Sequence, residues 1–82
     1  MKTKDFVEQV ENMGYQAVKT YSYIIVYDVD DAQVASVSIR DERNLSVFDG
    51  FYLLVKLLME YSETPIDERE DMNKSSEEET NK

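Results

Sequence analysis

Apolar residues recur at helical spacing near the start of the chain. Phe6, Val10 and Met13 lie three or four positions apart, and charged or polar residues occupy most positions between them. This periodicity predicts an amphipathic helix over residues 4–13, because residues three and four apart share one face of a helix.

The residues that flank this helix favour its two ends. Thr3 is an N-cap type, since its hydroxyl can accept a hydrogen bond from a free N–H of the first turn. Gly14 stands where a left-handed residue commonly ends a helix, with Tyr15 after it. We therefore expect a Schellman ending at Gly14.

The pattern then changes to strands. Residues 15–20, 23–28 and 33–39 are short segments with β-branched and aromatic residues. The third segment alternates, and one of its faces consists of Ala35, Val37 and Ile39. The short connections between the segments favour an antiparallel three-stranded meander, with residues 28–32 as a hairpin loop.

The second half of the chain returns to helix. Residues 45–48 could add a short fourth strand, and a strongly apolar segment predicts a helix over residues 50–61 with Asp49 as its N-cap. Its apolar residues cover a broad part of the helix circumference. We expect the sheet to cover most of it, and any uncovered remainder to be a dimer or partner surface.

A short extra C-terminal helix is predicted from Thr64 to about Met72, because Thr64-Pro65 is a typical helix start and acidic residues follow it. The fold class is therefore α+β, in the order α-β-β-β-α, with the helices on one face of the sheet. We expect one domain over residues 2–72. Residues 73–82 lack apolar side chains and predict a disordered acidic polar tail.

The composition argues against several classes of function. The chain has 82 residues, a net charge of −9, and no Cys, His or Trp. It therefore lacks the usual zinc ligands and the usual acid–base residue near neutral pH. We expect a non-enzymatic protein without metal or cofactor. We also expect no direct binding to nucleic acid, no membrane binding, and a place in the cytoplasm.

The negative charge is concentrated near the C-terminus. Residues 63–82 hold eight acidic and three basic residues, a net charge of −5. The candidate partner-binding acids are Glu63, Asp67, Glu68, Glu70 and Asp71. Two interpretations stay open: a solvated helix face, or a ridge of carboxylates that mimics nucleic-acid phosphates.

Aromatic residues give a second candidate surface. Tyr21, Tyr23 and Tyr27 share strand parity, so one sheet face could carry a tyrosine row. The acidic surroundings favour core packing or a protein interface over base stacking. Parity alone does not tell which set faces outward, and the alternative set is Ser22, Ile24 and Val26.

The acidic loop Asp28-Val29-Asp30-Asp31 suggests calcium at first sight. An EF-hand loop that begins at Asp28 needs glycine and glutamate at positions where this chain has Gln33 and Ile39. The loop is therefore interpreted as a turn.

The ordered set of segments also carries a resemblance. It comprises Glu11-Asn-Met-Gly-Tyr15, Tyr23-Ile-Ile-Val-Tyr-Asp28, Val34-Ala-Ser-Val-Ser38 and residues 52–70. Over residues 3–71 the chain resembles a family of small proteins encoded by phages and prophages of low-GC Gram-positive bacteria. No activity is assigned to that family, so the resemblance implies a phage setting, with the host bacterial cytoplasm as the location, and supplies no catalytic residues.

Two functions follow as hypotheses. The first is an acidic inhibitor or modulator of a host or defence nucleic-acid-binding protein, such as a CRISPR or restriction nuclease. The alternative is a small virion or assembly accessory protein that acts by self-association, for example as a homodimer.

Overall fold

The fold is described for residues 1–69 of a computed structural model. The elements are α1 (Thr3–Asn12), β1 (Gln16–Lys19), β2 (Tyr23–Tyr27), β3 (Gln33–Ser38), β4 (Leu45–Val47), α2 (Tyr52–Ser62) and a 3₁₀ turn (Ile66–Glu68). The α+β class and the α-β-β-β-α order are confirmed. The expectation of a disordered tail over residues 73–82 lies outside the described residues.

The end of α1 is the Schellman motif that the sequence predicts. Gly14 has φ of +96°, and its N–H donates to the carbonyl of Glu11 over 3.0 Å. The N–H of Tyr15 donates to the carbonyl of Val10 over 3.3 Å. These two bonds satisfy carbonyls of the last turn and redirect the chain into β1.

The sheet is a four-stranded antiparallel meander in the order β1-β2-β3-β4. It therefore contains the additional fourth strand that the sequence allowed, next to β3. The register pairs Ile24 with Val37 and Val26 with Ala35, so these four side chains share one face. A shift at Val26/Tyr27 leaves Val34 as an extra residue in β3. This bulge explains why Val34 is buried together with Ala35.

The core lies between this sheet face and the two helices, as predicted. It is formed by Phe6, Val10, Ile24, Val26, Val34, Ala35, Val37, Leu54, Leu57, Leu58 and Tyr61. The rings of Phe6 and Tyr61 stack with centroids 4.4 Å apart and join α1 to α2. Ile24 and Val26 thus face inward, which places the tyrosines of β2 on the other face of the sheet.

The predicted N-caps are wrong at all three helix starts. Lys2 occupies the N-cap position of α1, Phe51 that of α2 and Pro65 that of the 3₁₀ turn, and none makes a side-chain cap bond. The Asp49 carboxylate instead accepts the N–H of Gly50 over 2.8 Å, two residues before α2 begins.

Thr3 and Thr64, which the sequence suggested as helix N-caps, instead form long-range hydrogen bonds. The Thr3 hydroxyl shares a 2.7 Å hydrogen bond with the Tyr61 hydroxyl. The Thr64 hydroxyl donates to the carbonyl of Glu60 over 3.0 Å and accepts from the ammonium of Met1 over 3.1 Å. Each link ties the start of the chain to the end of α2.

Candidate protein-interaction surfaces

Arg69 fixes the segment that follows α2. Its side chain is only 2% exposed, and its Nη1 donates to the carbonyl of Ser38 over 2.8 Å. Nη2 donates to the carbonyl of Ser62 over 2.9 Å, and Nε donates to that of Thr64 over 2.9 Å. The guanidinium also lies over the Tyr61 ring, 4.4 Å from its centroid. The C-terminal helix predicted from the acidic pattern is therefore, up to Arg69, a single 3₁₀ turn that returns to the body.

Carboxylates cover the outside of this returning segment. Glu63, Asp67 and Glu68 are exposed, and Glu42 joins them because its Oε2 accepts the N–H of Ile66 over 3.3 Å. We call these four residues the acidic surface. Arg69 is the one basic residue of positions 63–69, and its charge is directed inward. The other two predicted acids, Glu70 and Asp71, lie outside the described residues.

Glu42 was not among the predicted site residues. It stands in a charged connector, and nothing local in the sequence indicates that this connector lies against the end of α2. The contact is nonlocal: the N–H of Arg43 donates to the carbonyl of Ser62 over 2.9 Å. Only the tertiary fold brings Glu42 to the acids that follow α2.

The predicted tyrosine row is divided by the fold. Tyr23 and Tyr27 lie on the outer sheet face with Ile25 between them, and we call these three residues the tyrosine face. Tyr23 is at the same end of the sheet as the acidic surface, since its register partner Ser38 binds Arg69. Tyr27 is at the opposite end of β2, about 13 Å away.

Tyr21 precedes β2 and does not belong to the tyrosine face. Its ring is 79% exposed, and the guanidinium of Arg40 lies 3.9 Å from the ring centroid. Arg40 Nε also donates to the carbonyl of Tyr21 over 3.1 Å. Tyr21 is thus accessible and lies beside a positive charge.

The helix α2 leaves part of its apolar circumference uncovered. Tyr52, Leu53 and Met59 are 72%, 53% and 49% exposed. Phe48 and Phe51, which precede the helix, are also exposed. We call these five residues the apolar α2 surface. It is the uncovered remainder of α2 for which the sequence predicts a dimer or partner surface.

The acidic loop between β2 and β3 is a turn, as interpreted from the sequence. Asp28 Oδ1 accepts the N–H groups of Asp30 over 2.8 Å and Ala32 over 3.0 Å. Asp31 has φ of +66°, a conformation that aspartate tolerates in turns. Two backbone donors therefore hold one oxygen of Asp28 in place.

Residues 1–69 contain no group of three or more acidic side chains arranged to hold a metal ion. No helix in the same range has the length and apolarity needed to cross a membrane. No protein-family model, curated protein or solved structure matches this chain.

Proposed function

We propose that this protein is a non-enzymatic phage protein that inhibits or modulates a nucleic-acid-binding protein of the bacterial host or its defence, in the host cytoplasm. A CRISPR or restriction nuclease is the kind of target meant. The observation that carries the proposal is the inward direction of Arg69. Three backbone carbonyls hold the guanidinium of Arg69 in the interior. The carboxylates of the acidic surface are therefore exposed without the counter-charge of Arg69.

Electrostatics gives the mechanism. A protein that binds DNA presents lysine and arginine to a phosphate backbone with one charge per about 1.7 Å of duplex axis. The acidic surface would meet the same basic groups and exclude the nucleic acid. The nearby Tyr23 side chain, 38% exposed, adds the kind of aromatic contact that protein interfaces favour. The protein itself has no need to bind nucleic acid or transform a substrate.

Affinity capture can test this function with two variants of equal net charge. The full-length protein is immobilised and exposed to a lysate of a low-GC Gram-positive host, with and without an excess of duplex DNA. The test variant combines Glu63→Gln, Asp67→Asn and Glu68→Gln. The matched control neutralises three exposed acids of α1 through Asp5→Asn, Glu8→Gln and Glu11→Gln.

Captured proteins are identified by mass spectrometry, and each identified nuclease is then assayed for cleavage in the presence of the protein. We expect basic nucleic-acid-binding proteins that DNA or raised salt displaces, and inhibition of cleavage. The test variant should lose both, while the α1 control keeps them. Capture that persists in high salt and saturating DNA would contradict the proposal, as would equal loss in the two variants.

The apolar α2 surface favours a second candidate function, self-association within a virion or its assembly. Tyr52 and Leu53 are exposed in the single chain, and apolar side chains of this kind form the buried centre of homodimer interfaces. Sedimentation velocity over a concentration series tests it, with Leu53→Asp as the disruptive variant and Gln9→Asp, at an exposed position of α1, as the control with the same change in charge. A wild-type protein that stays monomeric at high concentration and is absent from phage particles would refute this alternative.

A further inference from the structure

A depression of about 300 Å³ lies at the end of the sheet opposite the acidic surface. It is lined by Tyr15, Asp28, Val34, Asp49, Gly50 and Phe51. Four separate parts of the chain meet there: the residue after the α1 ending, the turn between β2 and β3, the bulge of β3, and the segment before α2. The lining therefore combines two carboxylates with two aromatic rings and contains no basic side chain.

Both carboxylates accept backbone hydrogen bonds from residues that follow them closely in the chain. Asp28 Oδ1 accepts two backbone N–H groups of its own turn, and Asp49 Oδ1 accepts the N–H of Gly50. Within residues 1–69, the hydrogen bonds to these two side chains all go to Oδ1. Each Oδ2 therefore keeps its capacity to accept a hydrogen bond from a ligand.

The two rings favour a flat cation. Tyr15 and Phe51 stack with centroids 6.0 Å apart and an angle of 25° between their planes. Phe51 is 47% exposed, so part of its ring is accessible. A guanidinium is planar, binds carboxylates through several N–H groups, and stacks on aromatic rings more readily than an ammonium.

The charge balance of the depression agrees with a cation. The beginning of α2 contributes a partial positive charge of about half a unit there. The two carboxylates of the lining outweigh it, so the charges at the depression sum to a negative value. Tyr15, Phe51 and Val34 make poor metal ligands, so the lining matches an organic cation rather than a metal ion.

We propose that this depression binds an arginine side chain of a partner protein. The inference deepens the proposed function and rests on it for the source of the arginine, since nucleic-acid-binding surfaces are rich in this residue. Arginine inserted into a pocket is also a frequent energetic centre of protein interfaces. The depression would then be a specific anchor, separate from the broad attraction of the acidic surface.

The test uses a small probe and the full-length protein. Nα-acetyl-arginine amide is titrated while ¹H–¹⁵N spectra are recorded, in parallel with the lysine analogue and with the uncharged isostere Nα-acetyl-citrulline amide. We expect saturable millimolar binding of the arginine probe, with shifts centred on Gly50, Phe51 and the 28–32 turn. The lysine probe should bind more weakly, and the citrulline probe should leave these signals unchanged.

Variants locate the site. Asp49→Asn keeps an acceptor for the Gly50 N–H and removes the charge, and it should weaken arginine binding about fivefold or more. Phe51→Leu should also weaken it, through loss of the ring. Asp5→Asn, an exposed acid on α1, is the matched control and should bind as the wild type does. The dispersion of each spectrum shows that the variant is folded.

Three results would overturn the assignment: equal shifts with citrulline or lysine, shifts spread over all exposed carboxylates, or unchanged affinity in Asp49→Asn. The outcome is distinguishable from that of the proposed function. The probe titration contains no nucleic-acid-binding protein and leaves Glu63, Asp67 and Glu68 intact. Failure of the depression to bind arginine would therefore leave the capture result standing, and failed capture would leave the probe titration valid.

Discussion

Replacing Arg69 by alanine is expected to destabilise the fold by about 3 kcal/mol. Each hydrogen bond from a charged donor contributes about 1.5 to 3 kcal/mol, so the three bonds to the carbonyls of Ser38, Ser62 and Thr64 amount to about 5 to 9 kcal/mol. Contact with the buried Tyr61 ring adds about 2 kcal/mol. Burying the guanidinium costs several kcal/mol, which offsets most of this sum.

Urea unfolding followed by far-ultraviolet circular dichroism measures the effect. A chain of this length has a total stability of about 4 to 12 kcal/mol. With a slope of about 1 kcal/mol per molar urea, the expected loss lowers the midpoint by about 3 M. Arg69→Lys should lie between the two proteins, because one ammonium cannot reproduce a fork that reaches three carbonyls.

Arg40 provides a matched control with the same chemistry at the surface. It also stacks on a tyrosine and donates Nε–H to a backbone carbonyl, but its side chain is exposed. Arg40→Ala should cost less than about 1 kcal/mol, since water replaces the lost contacts. An Arg69→Ala free energy of unfolding within about 0.5 kcal/mol of the wild-type value would refute this expectation. Equal destabilisation by Arg40→Ala would refute it too.

Three further predictions concern the fold. Gly14→Ala should lower the free energy of unfolding in urea by about 1 to 2 kcal/mol, because φ is +96°. No atom lies within 4 Å of the added Cβ, so backbone strain is the whole cause, and an unchanged stability would contradict it. Leu58→Ala should cost about 2 to 5 kcal/mol in the same assay, as a fully buried core residue, and a loss below that range would argue against its packing. In a double-mutant cycle, Thr3→Val and Tyr61→Phe should show a coupling of about 1 kcal/mol; additive effects would mean that their 2.7 Å bond contributes no net stability.

Local signals in the sequence predict much of this fold. The Schellman ending at Gly14 depends on residues within one turn, and the strands depend on a two-residue period, so both can be deduced without knowing the rest of the chain. Strand parity placed Tyr23 and Tyr27 on the same face correctly. It could not tell whether that face is inside, because burial is decided by the helices that cover Ile24 and Val26.

Nonlocal contacts explain what the sequence did not predict. Thr3 and Thr64 look like N-caps because their local surroundings are those of helix starts, yet each hydroxyl finds a partner far along the chain or at its beginning. Arg69 looks like one more charge in an acidic segment. Its burial depends on carbonyls 31, 7 and 5 positions earlier, which come together only in the folded structure.

Arg69 links stability to the character of the acidic surface. Positions 63–69 contain three acidic residues and one basic residue. All three acidic side chains are exposed, whereas the basic one is buried. The contacts that stabilise the segment therefore also remove a counter-charge from its exterior. An Arg69 variant would alter folding and surface charge at once, so it cannot separate the two. Neutralising Glu63, Asp67 and Glu68 changes the surface charge and leaves the guanidinium contacts in place. Comparison with the α1 control of equal net charge therefore tests the function.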